Sequence, residues 1–211
     1  MMQRLAVACC LLTLALAVSA AAVEIEVGGL ALFGSFANTN ALLEQFEAEA
    51  GEALPELSFA GGCDLRLPLL RLSDRSRAGA GVRILGAGVS KRDTNVAAMS
   101  IGAYAWGDYR FGSWDARADL GLCRGSFNFA AGRYAGLSGW GFGAAGEAVY
   151  WLPIGRFFAV GAAIGVQWLP IPQMADSGGR IYRGRGTPFV DFSGISFSIR
   201  VRRGEEGGDR G

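Results

Sequence analysis

Residues Phe157–Trp168 alternate between two unlike faces, and that alternation limits the possible folds more than any other feature of the chain. Phe158, Val160, Ala162, Ile164, Val166 and Trp168 share one face; Phe157, Ala159, Gly161, Ala163, Gly165 and Gln167 share the other. A large, partly β-branched face against a face of mostly small residues, at period two, predicts a strand. The uncharged run, Phe157 to Ile171, is shorter than the roughly 20 apolar residues that a membrane helix needs.

The same template recurs along the chain. Met99, Ile101, Ala103, Ala105, Tyr109 and Phe111 oppose Ser100, Tyr104, Trp106, Asp108 and Arg110. Ala116, Ala118, Leu120 and Leu122 oppose Asp115, Arg117, Asp119 and Cys123. Cys63, Leu65 and Leu67 oppose Asp64 and Arg66, and Val82 and Ile84 oppose Arg83. Trp140, Phe142, Ala144, Ala148 and Tyr150 oppose Glu147 and several glycines; Ile195, Phe197, Ile199 and Val201 oppose Ser196, Ser198 and Arg200. With Glu24–Phe36 as the first, this makes about eight strands. In that first strand Val27 and Leu30 both read as outward, which predicts a bulge near Gly28–Gly29.

The connections alternate in length. "SDRSR", "GSW" and "LPIG" are tight, whereas "ANTNALLEQFEAEAGEALPE", "SKRDTN", the stretch around "NFAAGRYAGLS" and "PIPQMADSGGRIYRGRGTP" read as the connections of the opposite rim. Unlike rims predict an antiparallel up-and-down barrel. The first long connection carries a helical signal, with Asn40 as its N-cap, Leu43, Phe46 and Ala50 on one face and Gly51 as the stop.

A soluble barrel turns its apolar face inward, and a membrane barrel turns it to lipid. The non-apolar face here is mostly Gly, Ala and Ser, with charges that balance: Asp64, Asp108, Asp119 and Glu147 against Arg66, Arg83, Arg110 and Arg117. Such a set suits a narrow lumen closed by a salt-bridge network, with Tyr104 and Trp106 as bulk. Aromatic residues gather at strand ends: Tyr109, Phe111, Trp114, Tyr150 and Trp151 at one rim, Trp140, Phe142 and Trp168 at the other. Asp191 and Arg124 fall on the lipid phase, both near the long-loop rim where a charge costs little. The expectation is therefore an all-β transmembrane barrel with a short helix in its first long loop.

On these residues the chain resembles the small eight-stranded bacterial outer-membrane β-barrel proteins. The sharpest piece of the resemblance is "FSGISFSI", where Gly194, Phe197 and Ile199 fall like the C-terminal recognition signal of such barrels. Phe192 stands where that signal has a polar residue, and the chain does not end on an aromatic. The resemblance implies insertion by the outer-membrane barrel assembly machinery. It also implies that an enzyme of this size and topology would use a catalytic histidine, and the sequence contains none.

The N-terminus is a separate object. Arg4 precedes the apolar run Leu5–Val18 and the small-residue stretch "VSAAA", which predicts a signal peptide over 1–20, cleaved after Ala20. The barrel then spans 21–203, and 204–211 is a polar tail expected to be disordered. Cys63 and Cys123 fall on opposite faces of the wall and are expected as two separate thiols.

Without histidine, Ser–His chemistry and the usual zinc ligands are excluded. "GFGAAG" matches a phosphate-loop pattern in letters only; small residues in a narrow wall account for it. Neither cofactor, metal nor nucleic acid is expected, at a formal charge of +1. Arg180, Arg183 and Arg185 around Tyr182 form a candidate anion-binding loop, suited to lipopolysaccharide phosphates or an anionic glycan. The alternative for that loop is docking against the acidic first loop (Glu44, Glu47, Glu49, Glu52 and Glu56). The reading is a monomeric, non-enzymatic outer-membrane barrel, structural or surface-binding. Its rivals are a narrow pore and a soluble periplasmic barrel that holds a hydrophobic ligand.

Overall fold

The computed structural model describes residues 25–34, 36, 39–41, 43–44, 47, 55–91, 94–131, 133–155, 157–183 and 189–203. The expected signal peptide, the polar tail and Arg185 lie outside the described residues. Eight antiparallel strands form the wall: β1 (Glu26–Gly34), β2 (Ala60–Arg71), β3 (Ser76–Lys91), β4 (Thr94–Phe111), β5 (Trp114–Ala131), β6 (Arg133–Ile154), β7 (Phe158–Trp168) and β12 (Gly194–Arg203). Each pairs with its sequence neighbour, and β12 pairs with both β7 and β1, so the ring is closed. At the level of the closed ring each strand is paired on both sides, so the backbone there is satisfied within the wall and has no free edge. Four short strands, β8 (Pro170–Ile171), β9 (Gln173–Ala175), β10 (Ile181–Arg183) and β11 (Val190–Asp191), lie in the connection from β7 to β12.

At the short-turn rim β4 and β5 are joined by Gly112 and Ser113. Gly112 has φ 63°, the left-handed conformation that a two-residue hairpin asks of its first residue. The expected bulge in β1 is absent: its register runs without a break from Glu26↔Arg202 to Gly34↔Gly194. Leu30 therefore points inward with Glu26 and Leu32, where it has apolar partners. The bulge lies instead in β2, between Pro68 and Leu70, where a proline that cannot donate to the ladder is accommodated.

The outer surface is apolar over the lower and middle wall, as the alternation predicts. Met99, Ile101, Phe111, Leu120, Leu122, Trp140, Phe142, Ile164, Val166, Phe197 and Ile199 are all exposed. Trp151 departs from its expected place in the lower girdle; it points inward and is buried. Among the described residues no helix is long and apolar enough to cross a membrane.

The upper wall holds the main departure from expectation. β3 to β6 run far past their neighbours, through stretches that read as loops: "SKRDTN" contributes to β3 and β4, and "NFAAGRYAGLS" is strand except for Gly132, which is outside the described residues. The 18 residues of β4, at about 3.3 Å each and tilted by about 40°, rise roughly 45 Å, well beyond an apolar band of about 25 Å. Along this extension the faces exchange character. Leu85, Ala87, Val96, Ala98, Phe127 and Leu137 point inward and are buried. Arg124, Ser126, Asn128 and Ser138 occupy the outward register positions that Leu120, Leu122, Trp140 and Phe142 hold lower down.

The upper lumen is filled by the two long connections. Phe36, Leu43 and Leu57 enter from the first; Ile171, Met174, Phe189, Val190 and Phe192 enter from the last. Thr39, Asn40, Ala41, Leu43, Glu44 and Glu47 are helical, which is the predicted helix, but Asn40 lies within it rather than capping it. Its amide accepts from Leu57 N (2.9 Å) and donates to Leu57 O (3.0 Å), tying the returning chain to the helix. Phe46, Ala50 and Gly51 lie outside the described residues.

Candidate functional site

Parity delivers the charges of the lower lumen. In β2, β4 and β5 alternate residues point inward, and the wall is narrow enough for side chains from opposite strands to touch. Arg66, on β2, is fully buried and sits at the centre. Its Nη2 lies 2.8 Å from Glu147 Oε1 and 3.3 Å from Asp119 Oδ2, and its Nε lies 3.3 Å from Asp64 Oδ2. Arg83 reaches Asp119 at 2.8 Å. Arg117 lies 3.1 Å from Asp115 Oδ2 and 3.9 Å from Asp108 Oδ2. Arg110 stands at the rim, about a third exposed, with Nε 3.5 Å from Asp115. All eight residues singled out in the sequence are thus linked in one network.

Five members were not singled out. Arg200 bridges Asp64 (2.9 Å), Glu26 (3.3 Å) and Glu147 (2.6 Å). Glu26 receives both terminal nitrogens of Arg117 in a forked pair. Arg77 pairs with Asp108 at 2.6 Å, and Arg202 with Asp115 at 2.9 Å. Asp115 also accepts from Trp151 Nε1 at 2.7 Å. The guanidiniums of Arg202 and Arg117 lie 4.0 Å and 5.3 Å from the centre of the Trp151 ring. The signals were present for most of these. Asp115 and Arg200 share the inward parity of residues that were counted, whereas Arg77 was hidden in a stretch read as a turn. Glu26 was lost with the misread phase of β1.

Small residues make this crowding possible. A Cβ on Gly28 would fall on Asp64 Oδ1 and within 2.9 Å of Arg200 Nη1. Higher up, Gly125, Gly139, Gly141 and Gly143 line the inner wall where Leu169–Met174 turns into the barrel. A Cβ at Gly141 would lie 2.6 Å from Pro170 O and 3.1 Å from Ile171 Cγ1. Two glycines of "GFGAAG", Gly141 and Gly143, thus form part of a seat for the cap.

One side chain joins the two levels. Gln167, at the end of β7, accepts from Arg83 Nη1 (3.0 Å) and donates to Phe192 O (2.9 Å). Phe192 itself packs edge-on against Phe36, with ring centroids 6.1 Å apart. The polar position expected there is filled by an apolar residue because it faces the cap rather than water. Asp191 belongs to β11, which pairs with β8, and is not a lipid-facing wall residue. Its backbone N–H donates to Thr39 Oγ1 at 3.4 Å, a second tie between the two long connections.

The candidate anion-binding loop is a hairpin of β9 and β10. Asp176 organises its tip, accepting from the backbone of Gly178 and Arg180 (each 2.9 Å) and from the Tyr182 hydroxyl (3.2 Å). The Arg180 backbone N–H, with those other donors, holds the Asp176 carboxyl below the usual aspartate value. Arg180 is exposed and its guanidinium lies 5.3 Å from the centre of the Tyr182 ring. Arg183 is exposed and donates from Nε to Gln173 Oε1 at 3.0 Å. Cys63, half-buried in the wall, and Cys123, buried in the lumen, are not joined in a disulfide. Gly194, Phe197 and Ile199 lie on β12, with Phe197 and Ile199 on its outer face.

Charge inside and hydrocarbon outside reverse the order of a soluble barrel, whose apolar face lines its core. The chain is a closed eight-stranded antiparallel β-barrel with an apolar exterior and a charged lower lumen. No protein-family model matches the barrel, and no curated protein matches it. Among solved structures, Neisserial surface protein A aligns with a TM-score of 0.45 at 12% identity, covering 86% of this chain and 96% of that one. The outer membrane protein OprG from Pseudomonas aeruginosa aligns with a TM-score of 0.48 at 11% identity, over 86% of this chain and 95% of that one. The outer membrane protease OmpT from Escherichia coli aligns with a TM-score of 0.32 at 7% identity, over 86% and 91%.

Proposed function

We propose that this protein is a non-enzymatic barrel of the bacterial outer membrane, exported through its N-terminal signal peptide, that acts at the cell surface through its loop-covered upper rim and does not conduct solutes. One observation carries the reading: the lumen is occupied twice over, by an ion-paired layer below and an apolar layer above. Six carboxylates (Glu26, Asp64, Asp108, Asp115, Asp119 and Glu147) meet seven guanidiniums among the described residues, so neither sign is left in large excess to select an ion. A continuous apolar plug above them would dewet any residual path.

Partners follow from the same reading. Outer-membrane lipids surround the wall, and Gly194, Phe197 and Ile199 on β12 serve the assembly machinery. Arg180, Arg183 and Arg185 are the surface positions for anionic ligands, lipopolysaccharide phosphates first. The ring is completed by strands of one chain, so no second copy is needed to close the wall, and the reading is a monomer.

Planar-bilayer recording of the purified protein tests the central claim. The expected result is no steady conductance above background. Reproducible single-channel steps that change in Arg66→Ala or Asp119→Ala would establish a pore and overturn the reading. Recovery of the protein as a soluble monomer from periplasmic extract would overturn the membrane assignment itself.

A further inference from the structure

We infer that the outer wall carries a lipid-phosphate site, a strip formed by Arg124, Trp140, Gln173 and Arg183 at the level where the exterior changes from apolar to polar. The inference rests on the outer-membrane reading and places its lipid partner on the wall rather than at the loop tip.

Strand register assembles the strip. Arg124 on β5 is paired with Trp140 on β6, and both point outward and are exposed, Trp140 at 66%. The upper part of β6 receives β9 through Ser138↔Ala175. One step along each strand to the next outward position brings Gln173 beside Trp140, and Gln173 is in turn the partner of Arg183 on β10. Met174 and Tyr182 point inward to the apolar plug, which fixes Gln173 and Arg183 as outward. The order across four strands is therefore Arg124, Trp140, Gln173, Arg183. At about 4.8 Å between strands, the two arginines start about 14 Å apart.

The chemistry of the strip fits its height. Below Arg124 the outward residues of β5 are Leu122 and Leu120, both exposed as lipid contacts; above it come Ser126 and Asn128. Arg124 is thus the first polar side chain above the hydrocarbon, and the neighbouring Trp140 suits the headgroup layer. Neither Arg124 nor Arg183 has an ion-pair partner among the described residues, in contrast to the arginines of the lumen. Gln173 engages only Nε of Arg183, so its terminal nitrogens remain for a ligand. Two such forks at headgroup level match a membrane glycolipid that carries phosphates, and lipopolysaccharide is the occupant we assign.

Binding of rough lipopolysaccharide to the full-length protein in neutral detergent tests the assignment, with chemically dephosphorylated lipopolysaccharide and inorganic phosphate as the other probes. Arg124→Ala/Arg183→Ala should weaken binding of the phosphorylated lipid at least tenfold and leave binding of the dephosphorylated lipid as weak as in the parent. Arg124→Lys/Arg183→Lys, which keeps charge and loses the fork, should fall between. Folding of each variant is checked by its faster migration on unboiled gels; if the double alanine variant fails that check, Arg124→Gln and Arg183→Gln are measured singly and should each lose part of the affinity. Unchanged affinity in a folded variant would overturn the site. Competition by millimolar inorganic phosphate as effective as the lipid would also overturn it, in favour of a soluble-anion site. Loss in Arg180→Ala, with the Arg124/Arg183 variant unaffected, would move the ligand to the hairpin tip and leave the proposed function standing.

Discussion

The lower and upper halves of this barrel are built from the same strands by opposite rules. Below, the wall is greasy outside and ionic inside, with Arg66 and Arg200 at most 1% exposed yet each touching three carboxylates. Above, the wall is polar outside and apolar inside, with Phe127, Val96 and Leu85 packed on loop residues as in a soluble protein. The solvent decides which rule applies. Lipid accepts only apolar side chains, so in the bilayer the polar ones must satisfy one another inside the ring. Beyond the headgroups water surrounds the wall, and burying apolar surface inside becomes favourable. The lower half is consequently held by shared ion pairs, in which each guanidinium serves several carboxylates. The upper half is held by area that can be lost piecemeal.

That contrast predicts graded effects. Removing one member of the ionic layer should be the most damaging change. Arg200→Ala removes one cation shared by three buried carboxylates, Glu26, Asp64 and Glu147, and should lower barrel stability by about 3–5 kcal/mol, read as a lower urea midpoint for loss of the fast-migrating form. A midpoint within experimental error of the parent would break the claim that the lower layer is cooperative. In the cap, Met174→Ala should cost about 2–5 kcal/mol where it is felt, but locally. Limited proteolysis should cut between 171 and 190 sooner, while the unboiled gel shift of the barrel stays where it was.

The exteriors can be compared in the same way. Ile164→Arg, in the middle of β7 on its outer face, should cost about 2–4 kcal/mol, whereas Ser126→Arg on the outer face of the extension should cost about 0–1 kcal/mol. Equal costs would mean that the bilayer does not end near Arg124. The smallest effect belongs to the hairpin tip. Because the folded Asp176 carboxyl titrates below its ordinary value of 3.8, its contribution is fully present above that pH and is lost as the pH falls through the depressed value. Protease accessibility of the β9–β10 hairpin should therefore rise at low pH in the parent and be already raised, and flat with pH, in Asp176→Ala.

The lower half was legible because period two, applied to Asp64, Arg66, Asp108, Arg117, Asp119 and Glu147, needs no partner to be known: side-chain parity follows from the pleat alone. It failed where parity was obscured. Leu30 reads by residue type as a lipid contact but packs at the base of the apolar plug, which masks the inward parity it shares with Glu26. Trp151 was placed in a girdle by its residue type, although its parity with Val149 and Glu147 points inward.

The upper half was misread for a physical reason. On either side of "FAAGRYA" the faces are exchanged, with Phe127 and Leu137 inward and Ser126, Asn128 and Ser138 outward. A search for large residues facing out sees only the end of a strand. Likewise, nothing local in "PIPQMADSGG" states that Ile171 and Met174 turn back into the ring; the seat they occupy is made by Gly125, Gly139, Gly141 and Gly143 from other strands.

What the sequence by itself determined was the wall: the number of strands, the two unlike rims, the outward hydrocarbon and the balance of inward charge, all consequences of local alternation and of the composition of each face. Tertiary structure decided which charges meet, where the membrane rule gives way to the water rule along a single strand, and that two long loops close the lumen from above. Those outcomes depend on strand register and on chain segments more than a hundred residues apart, such as Glu26 and Arg200 at 3.3 Å, and no periodicity within one segment encodes which distant segment it will face.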